Sequence, residues 1–328
     1  MRGDRGRQHK VRSGRRAGGA ALTVGMAIGA LAAASPAVAS DHSHSPSPSL
    51  VAKRSVGVQP CGQPTSDPVY RHVIWVWMEN ESYTSVIGSS HAPYLNSLAV
   101  QCGVAVNYQA ISHPSLPNYV AATGGSTFGI TDDGDPSAHP INAPSIFSQV
   151  DAAGLIWRAY NESMPTSCAT QGSGLYAPRH NPAVYYVPLR PACQRSDVRM
   201  GAPVTGTLAK DLQAGTLPNF AFVTPNVCDD GHDCSVRVSD AWLSTFLTGV
   251  FSSPTYRAGQ TAVFVVWDEG VGDNHVPLVV AAPTVRTGTK AKASFTHYSL
   301  LRTTEDLLGL PPLGQSKNAS SMASAFGL

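Results

Sequence analysis

His72-Val73-Ile74-Trp75-Val76-Trp77-Met78 is a near-continuous run of apolar and β-branched residues, and it ends abruptly in Glu79-Asn80-Glu81-Ser82-Tyr83. A strand with one face in water alternates apolar and polar residues, whereas a strand covered on both faces does not. The run therefore predicts a central strand of a parallel sheet, with polar residues at its carboxyl end. The same signature recurs at residues 155–160, 219–224, 261–266 and 276–281. Helices are expected at residues 93–99, at 145–150 with Gly154 ending the turn, and at 207–213, 240–251 and 297–308. Strands alternating with helices predict an α/β fold, a three-layer α/β/α sandwich around a mainly parallel central sheet. Ligands of such sheets sit at the carboxyl ends of the strands.

Three of those ends carry acids: Glu79-Asn80, Asp229-Asp230-Gly231-His232 and Asp268-Glu269, with Asn274-His275 just ahead of the last strand. Each alone reads as ordinary turn chemistry or a solvated tip. Taken together they put several oxygen donors on one edge of one sheet. Oxygen-rich clusters suit a hard divalent cation.

A second stretch shares that edge: Ile111-Ser112-His113-Pro114-Ser115-Leu116-Pro117-Asn118-Tyr119, followed by Val120-Ala121-Ala122-Thr123-Gly124-Gly125. It reads as a loop dropping into a helix with Ser115 at the junction. Proline suits the first helical turn, and serine ahead of such a turn is a favoured N-cap. The functional reading is that Ser115 is a nucleophile that accepts a phosphoryl group, since a helix N-terminus offers free N–H groups to an anion. His113 reads as a packing residue behind it.

The beginning of the chain belongs to targeting. Residues 1–16 carry seven basic residues and Asp4, an Ala/Gly-rich run follows to Ala34, and Ala37-Val38-Ala39 is a small-x-small signature. Residues 1–39 are therefore expected to be an export signal, by the general or the twin-arginine route, and the protein to be secreted. Residues 40–328 keep 16 of the 23 basic and 20 of the 21 acidic residues, a net charge of −4. That balance offers no basic surface for nucleic acid. No later apolar run has the length of a transmembrane segment. Residues 40–70 read as a flexible leader, 71–314 as one catalytic domain, and 315–328 as a loose tail. Cys61, Cys102, Cys168, Cys193, Cys228 and Cys234 remain, an even count that reads as three disulfides. Chain proximity favours Cys61–Cys102, Cys168–Cys193 and Cys228–Cys234. A zinc site is the rival, weakened by the absence of any Cys-x-x-Cys pair.

The motifs Trp77-Met78-Glu79-Asn80-Glu81-Ser82-Tyr83, His113-Pro114-Ser115-Leu116-Pro117-Asn118-Tyr119, Asp229-Asp230-Gly231-His232-Asp233, Trp267-Asp268-Glu269 and Asn274-His275-Val276-Pro277 resemble, in this order, the bacterial phosphoesterase family of the alkaline-phosphatase superfamily. The resemblance spans about residues 70–314 and is nearest to secreted acid phosphatases acting on phosphatidylinositol 3-phosphate. It implies an alkaline-phosphatase-like fold and a phosphomonoesterase with Ser115 as nucleophile. Glu79, Asn80, Ser115, Asp268 and Glu269 would hold one divalent cation, with calcium, magnesium, manganese or iron favoured over zinc by the oxygen ligands. Asn118 would take a phosphate oxygen. His232 and His275 would contact phosphate or protonate the leaving group, supported by Asp230. The substrate would be a phosphate ester, with a phosphoinositide headgroup as candidate. The rival readings are a phospholipase C-type phosphodiesterase and a non-catalytic exported binding protein.

Overall fold

The computed structural model describes residues 59–63 and 69–328. The expected export signal and most of the expected leader lie outside these residues. The described residues form ten strands: β1 (His72–Met78), β2 (Gly103–Ala105), β3 (Tyr108–Gln109), β4 (Trp157–Asn161), β5 (Asp197–Arg199), β6 (Phe220–Thr224), β7 (Thr261–Trp267), β8 (Leu278–Ala281), β9 (Thr289–Ala291) and β10 (Phe295–Thr296). Eight form one sheet in the order β5-β4-β6-β1-β7-β8-β2-β9, and β10 pairs with β3 in a small second one.

The apolar run of β1 lies where its composition requires, between β6 and β7, parallel to both. Residues Val73 to Met78 are fully buried. Within the sheet β8 runs antiparallel to β7 and β2. The start of β8 therefore shares an edge with the carboxyl ends of β1, β6 and β7. Side chains alternate across a strand, and Trp75 and Trp77 project to the same side. There Trp75 Nε1 donates to Thr304 Oγ1 at 2.9 Å, on the helix His297–Leu308, and Trp77 packs on Tyr119 of the helix Ser115–Gly124. A second group of helices, Pro93–Gln101, Thr207–Ala214, Val236–Ser252 and Pro254–Arg257, packs among itself. Helices thus surround a mainly parallel sheet.

Three disulfides join Cys61–Cys102, Cys168–Cys193 and Cys228–Cys234, as chain proximity predicts. Two sequence expectations are corrected. The helix expected at residues 240–251 begins four residues earlier, at Val236, after Ser235. The tail expected to be loose is packed: Ser316, Met322 and Phe326 are buried, and Ser316 Oγ donates to Glu305 at 2.6 Å. Small residues there hid two apolar anchors, Met322 and Phe326. Among the described residues no helix is long and apolar enough to cross a membrane.

Candidate active site

The helix Ser115–Gly124 is buried along its whole length. Its sequence of small and apolar residues fits a site with no solvent face. At its end Gly125 takes φ 69°, and a Cβ there would lie 2.2 Å from the Leu313 carbonyl, so only glycine fits. At its start Ser115 is the first helical residue and not the cap expected from the sequence. The N-cap is Pro114, which offers no side-chain acceptor. The serine hydroxyl is consequently turned elsewhere, and it donates to Glu79 Oε2 at 3.0 Å.

Glu79 follows β1 directly and is fully buried. Its amide donates to the Asp230 carbonyl at 2.9 Å, which ties the β1 end to the loop after β6. Tyr119 OH, one turn along the helix from Ser115, donates to Glu79 Oε1. Asp268 follows β7, and its amide donates to the Met78 carbonyl at 3.0 Å. Its Oδ1 accepts the Asn80 amide at 3.1 Å, while its buried Oδ2 has no partner. Behind it, His297 Nε2 donates to the Asp268 carbonyl at 2.7 Å. The tautomer this fixes leaves Nδ1 to accept from Tyr108 OH at 3.0 Å. Burial keeps the His297 ring neutral, its pKa lowered to about 4.

Asp230 sits inside the loop closed by Cys228 and Cys234, which are six positions apart in sequence. Gly231 turns that loop with φ 106°, where a Cβ would crowd Ser239 and the Glu79 carbonyl. The turn lets Asp230 Oδ1 accept the His232 amide at 2.8 Å. The other oxygen, Oδ2, faces His180 Nδ1 at 3.2 Å, and His180 Nε2 faces Glu79 Oε1 at 3.5 Å. His180 is 1% exposed, and neither ring nitrogen makes a hydrogen bond.

Among the described residues, Glu79, Asp230 and Asp268 are three buried acids that no lysine or arginine pairs with. Burial first, then the charges of Asp268 and Asp230, raise the Glu79 pKa well above the carboxylate range. Burial likewise pushes Asp230 up, and burial followed by the Glu269 charge pushes Asp268 up. Burial holds His180 neutral, as a metal ligand must be. Buried like charges with unpartnered atoms are costly unless a cation joins them. Glu79, His180 and Asp230 present ligand atoms that all lie within 4.8 Å of one another. The residues fit a divalent cation.

The remaining sequence candidates are placed differently. Asn80 meets Asp268 through its backbone amide, at φ 54°. Glu269 lies at the mouth, paired with His113 Nδ1 at 3.1 Å and 3.5 Å from Asn118 Nδ2. Asn118 is taken up in stapling its own loop: Oδ1 accepts the amides of Ile111 and Ser112, both at 2.9 Å, and Nδ2 donates to the Ser112 and Pro114 carbonyls. That leaves its amide no free edge for a phosphate. The His275 ring stacks on Tyr83 and lies 3.1 Å from the Val106 carbonyl, so it supports the β3 region rather than the cluster. His232 stays at the mouth, 28% exposed, with Nδ1 2.7 Å from Asp233 and Nε2 3.0 Å from Arg179 Nη2. The sequence reading missed His180, Arg179 and Tyr119. The first two sit mid-way through a long irregular segment with no motif of their own. The third was part of the quoted Ser115 stretch, one helical turn on. With His180 in the cluster, the donor set is not purely oxygen, and the preference against zinc drawn from oxygen ligands loses its basis.

The fold and its buried acids at the strand ends define a class. The chain resembles a protein in the alkaline phosphatase superfamily from Vibrio parahaemolyticus, with TM-score 0.52, 12% identity, and coverage of 83% of this chain and 76% of that one. It also resembles a lipoteichoic acid synthase from Listeria monocytogenes, with TM-score 0.54, 11% identity, and coverage of 79% and 78%. This is an alkaline-phosphatase-like fold. Within it, the model of the Phosphoesterase family matches residues 89–311, which include Ser115, Asp230 and Asp268 and begin after Glu79. A phosphatidylinositol-3-phosphatase of Mycobacterium tuberculosis is 32% identical over 266 residues, 79% of this chain and 84% of that protein. A phosphate-repressible acid phosphatase of Penicillium chrysogenum is 31% identical over 252 residues, 73% of this chain and 59% of the fungal one. The chain belongs to the Phosphoesterase family.

Proposed function

We propose that the protein is an exported, metal-dependent phosphomonoesterase that works through a phosphorylated Ser115. Phosphatase relatives support hydrolysis of phosphoric monoesters as its activity. The observation that carries the residue assignment is the Ser115 hydroxyl, at the first residue of a buried helix and hydrogen-bonded to a fully buried carboxylate. Glu79, Asp230, Asp268 and His180 would hold the cation, with Glu269 at the mouth. When bound, such a cation neutralises phosphoryl oxygens and lowers the pKa of a coordinated hydroxyl.

The chain's own groups account for the rest. Glu79 holds the Ser115 proton. As Oγ bonds to phosphorus, the ester P–O bond breaks and the departing alcohol takes a proton from the mouth, where His232 is the accessible imidazole. Water gives a proton to His232 as its oxygen bonds to phosphorus, the Oγ–P bond breaks, and the proton held by Glu79 returns to Oγ, releasing inorganic phosphate and restoring the hydroxyl. Tyr119 and His180 keep Glu79 in place. Asn118 fixes the loop that delivers Ser115.

The mycobacterial relative makes a phosphoinositide headgroup the first substrate to try. Three disulfides accord with export to an oxidising compartment. Ser115→Ala should lower p-nitrophenyl phosphate hydrolysis by at least about 10³-fold with the fold intact. Acid quenching of the wild type should trap phosphate on the peptide containing Ser115. Near-native turnover in the alanine variant would end this assignment.

A further inference from the structure

The amide after the nucleophile is already occupied. Leu116 N–H donates to Asp133 Oδ1 at 2.9 Å, and Asp133 Oδ2 lies 3.9 Å from Arg179 Nε. Asp133 comes from the exposed turn around residues 131–135, seventeen residues past Leu116, and its side chain is 33% exposed. The first amides of a helix have no partner within it and attract anions. A guanidinium beside such an amide is the usual companion for a phosphoryl oxygen. A second mark of a ligand stands next to this pair: the buried Asp268 Oδ2 and both nitrogens of buried His180 are unpartnered around Ser115 and Glu79. Among the described residues, Arg179 is the one arginine or lysine in contact with His232 and Asp133.

Resting on the phosphomonoesterase reading, we propose that the Asp133 carboxylate is a resident substitute for substrate, seated on the Leu116 amide and facing Arg179 where a phosphoryl oxygen belongs. Substrate entry displaces it. The incoming group then takes the Leu116 amide and the Arg179 guanidinium, and Asp133 swings back into solvent with its turn. Asp133 thereby weakens binding of an anionic phosphoryl group and Arg179 strengthens it. The same exchange draws Arg179 away from His232 Nε2, which opens that nitrogen toward the leaving group. The pair sets phosphoryl affinity in opposite directions, which a plain helix cap would not do.

Inorganic phosphate is the probe, measured on the whole protein both by calorimetric binding and by competition with p-nitrophenyl phosphate. Asp133→Asn keeps the shape and an acceptor for the Leu116 amide while removing the charge. It should tighten phosphate by about tenfold. Arg179→Met should loosen it by at least about tenfold, and the gain from Asp133→Asn should shrink in the double variant because both act on one seat. Unchanged or weaker phosphate binding in Asp133→Asn overturns the proposal, and a lower melting temperature alongside it identifies Asp133 as a structural cap. An unchanged affinity in Arg179→Met overturns it as well. A wild type that neither hydrolyses the ester nor binds phosphate refutes the functional reading itself. Wild-type hydrolysis with an inert Asp133→Asn refutes only the displaced carboxylate.

Discussion

The ring of Tyr119 lies flat on the ring of His180, the planes 4° apart and the centroids 5.5 Å, while its hydroxyl donates to Glu79. One side chain therefore joins the helix Ser115–Gly124, the β1 end and the segment after β4. Tyr119→Phe keeps the stack and deletes the hydroxyl, leaving one Glu79 oxygen without its donor. An unsatisfied buried group costs about 1–3 kcal/mol. Thermal denaturation should show a loss of that size, and kcat should fall by about tenfold. An unaltered kcat would show that Glu79 does not depend on this contact.

Three buried acids and a neutral histidine predict a cation whose loss is measurable without any assay of turnover. Glu79→Gln and Asp268→Asn should each lower the metal content of purified protein, because a neutral amide replaces a charged ligand. His180→Ala should do so too, which separates this site from one built on oxygen alone. Elemental analysis reads all three. Chelation should abolish activity and re-addition restore it; full activity in verified metal-free protein would refute the cation.

The Cys228–Cys234 bond closes the loop that holds Asp230 and His232. A short loop gains little chain-entropy stabilisation from its bond, so its principal effect is local. Replacing both cysteines by serine should lower kcat/KM by about tenfold or more while the melting temperature changes little. Equal losses in both, tracked across temperature, would assign the bond to global stability instead.

Asp197 is buried and accepts from the side-chain amides of Asn161, at 2.7 Å, and Asn181, yet burial raises its pKa from 3.8 to about 7. The folded state therefore binds a proton that the unfolded chain releases. Its stabilising contribution is complete below pH 3.8 and is lost as pH rises through about 7, at about 1.4 kcal/mol per pH unit. Asp197→Asn mimics the protonated acid. It should flatten the decline of melting temperature across that window, and an undiminished slope would place the titration elsewhere.

The sheet was legible because burial on both faces imposes short runs rich in β-branched and aromatic residues on β1, β6 and β7. Glu79, Asp230 and Asp268 were legible for a related reason: acids that directly follow or neighbour such strands are carried to one edge by the topology. Asn118 and His275 sat in the right stretches, but their directions depend on where loop amides and the Val106 carbonyl happen to lie. Ser115 reads from sequence as both a cap and a nucleophile, and only the cap is corrected, since a side chain that can cap and one that can donate to a distant carboxylate look alike in sequence. His180 was invisible for the opposite reason. Its segment has no periodicity, and only the fold reveals that it returns over Glu79.

That segment leaves the sheet at Asn161 and re-enters at Asp197, and the two residues are hydrogen-bonded across adjacent strands. Its ends are thus closed before its middle is considered, and Cys168–Cys193 fastens it again from within. Arg179 and His180 travel on it together, whereas Ser115, Glu79 and Asp268 belong to the frame beneath. A module with joined ends can be exchanged as a cassette. Grafting the corresponding stretch from a relative onto this frame would change what the mouth accepts while Ser115 and the acids under it keep their places.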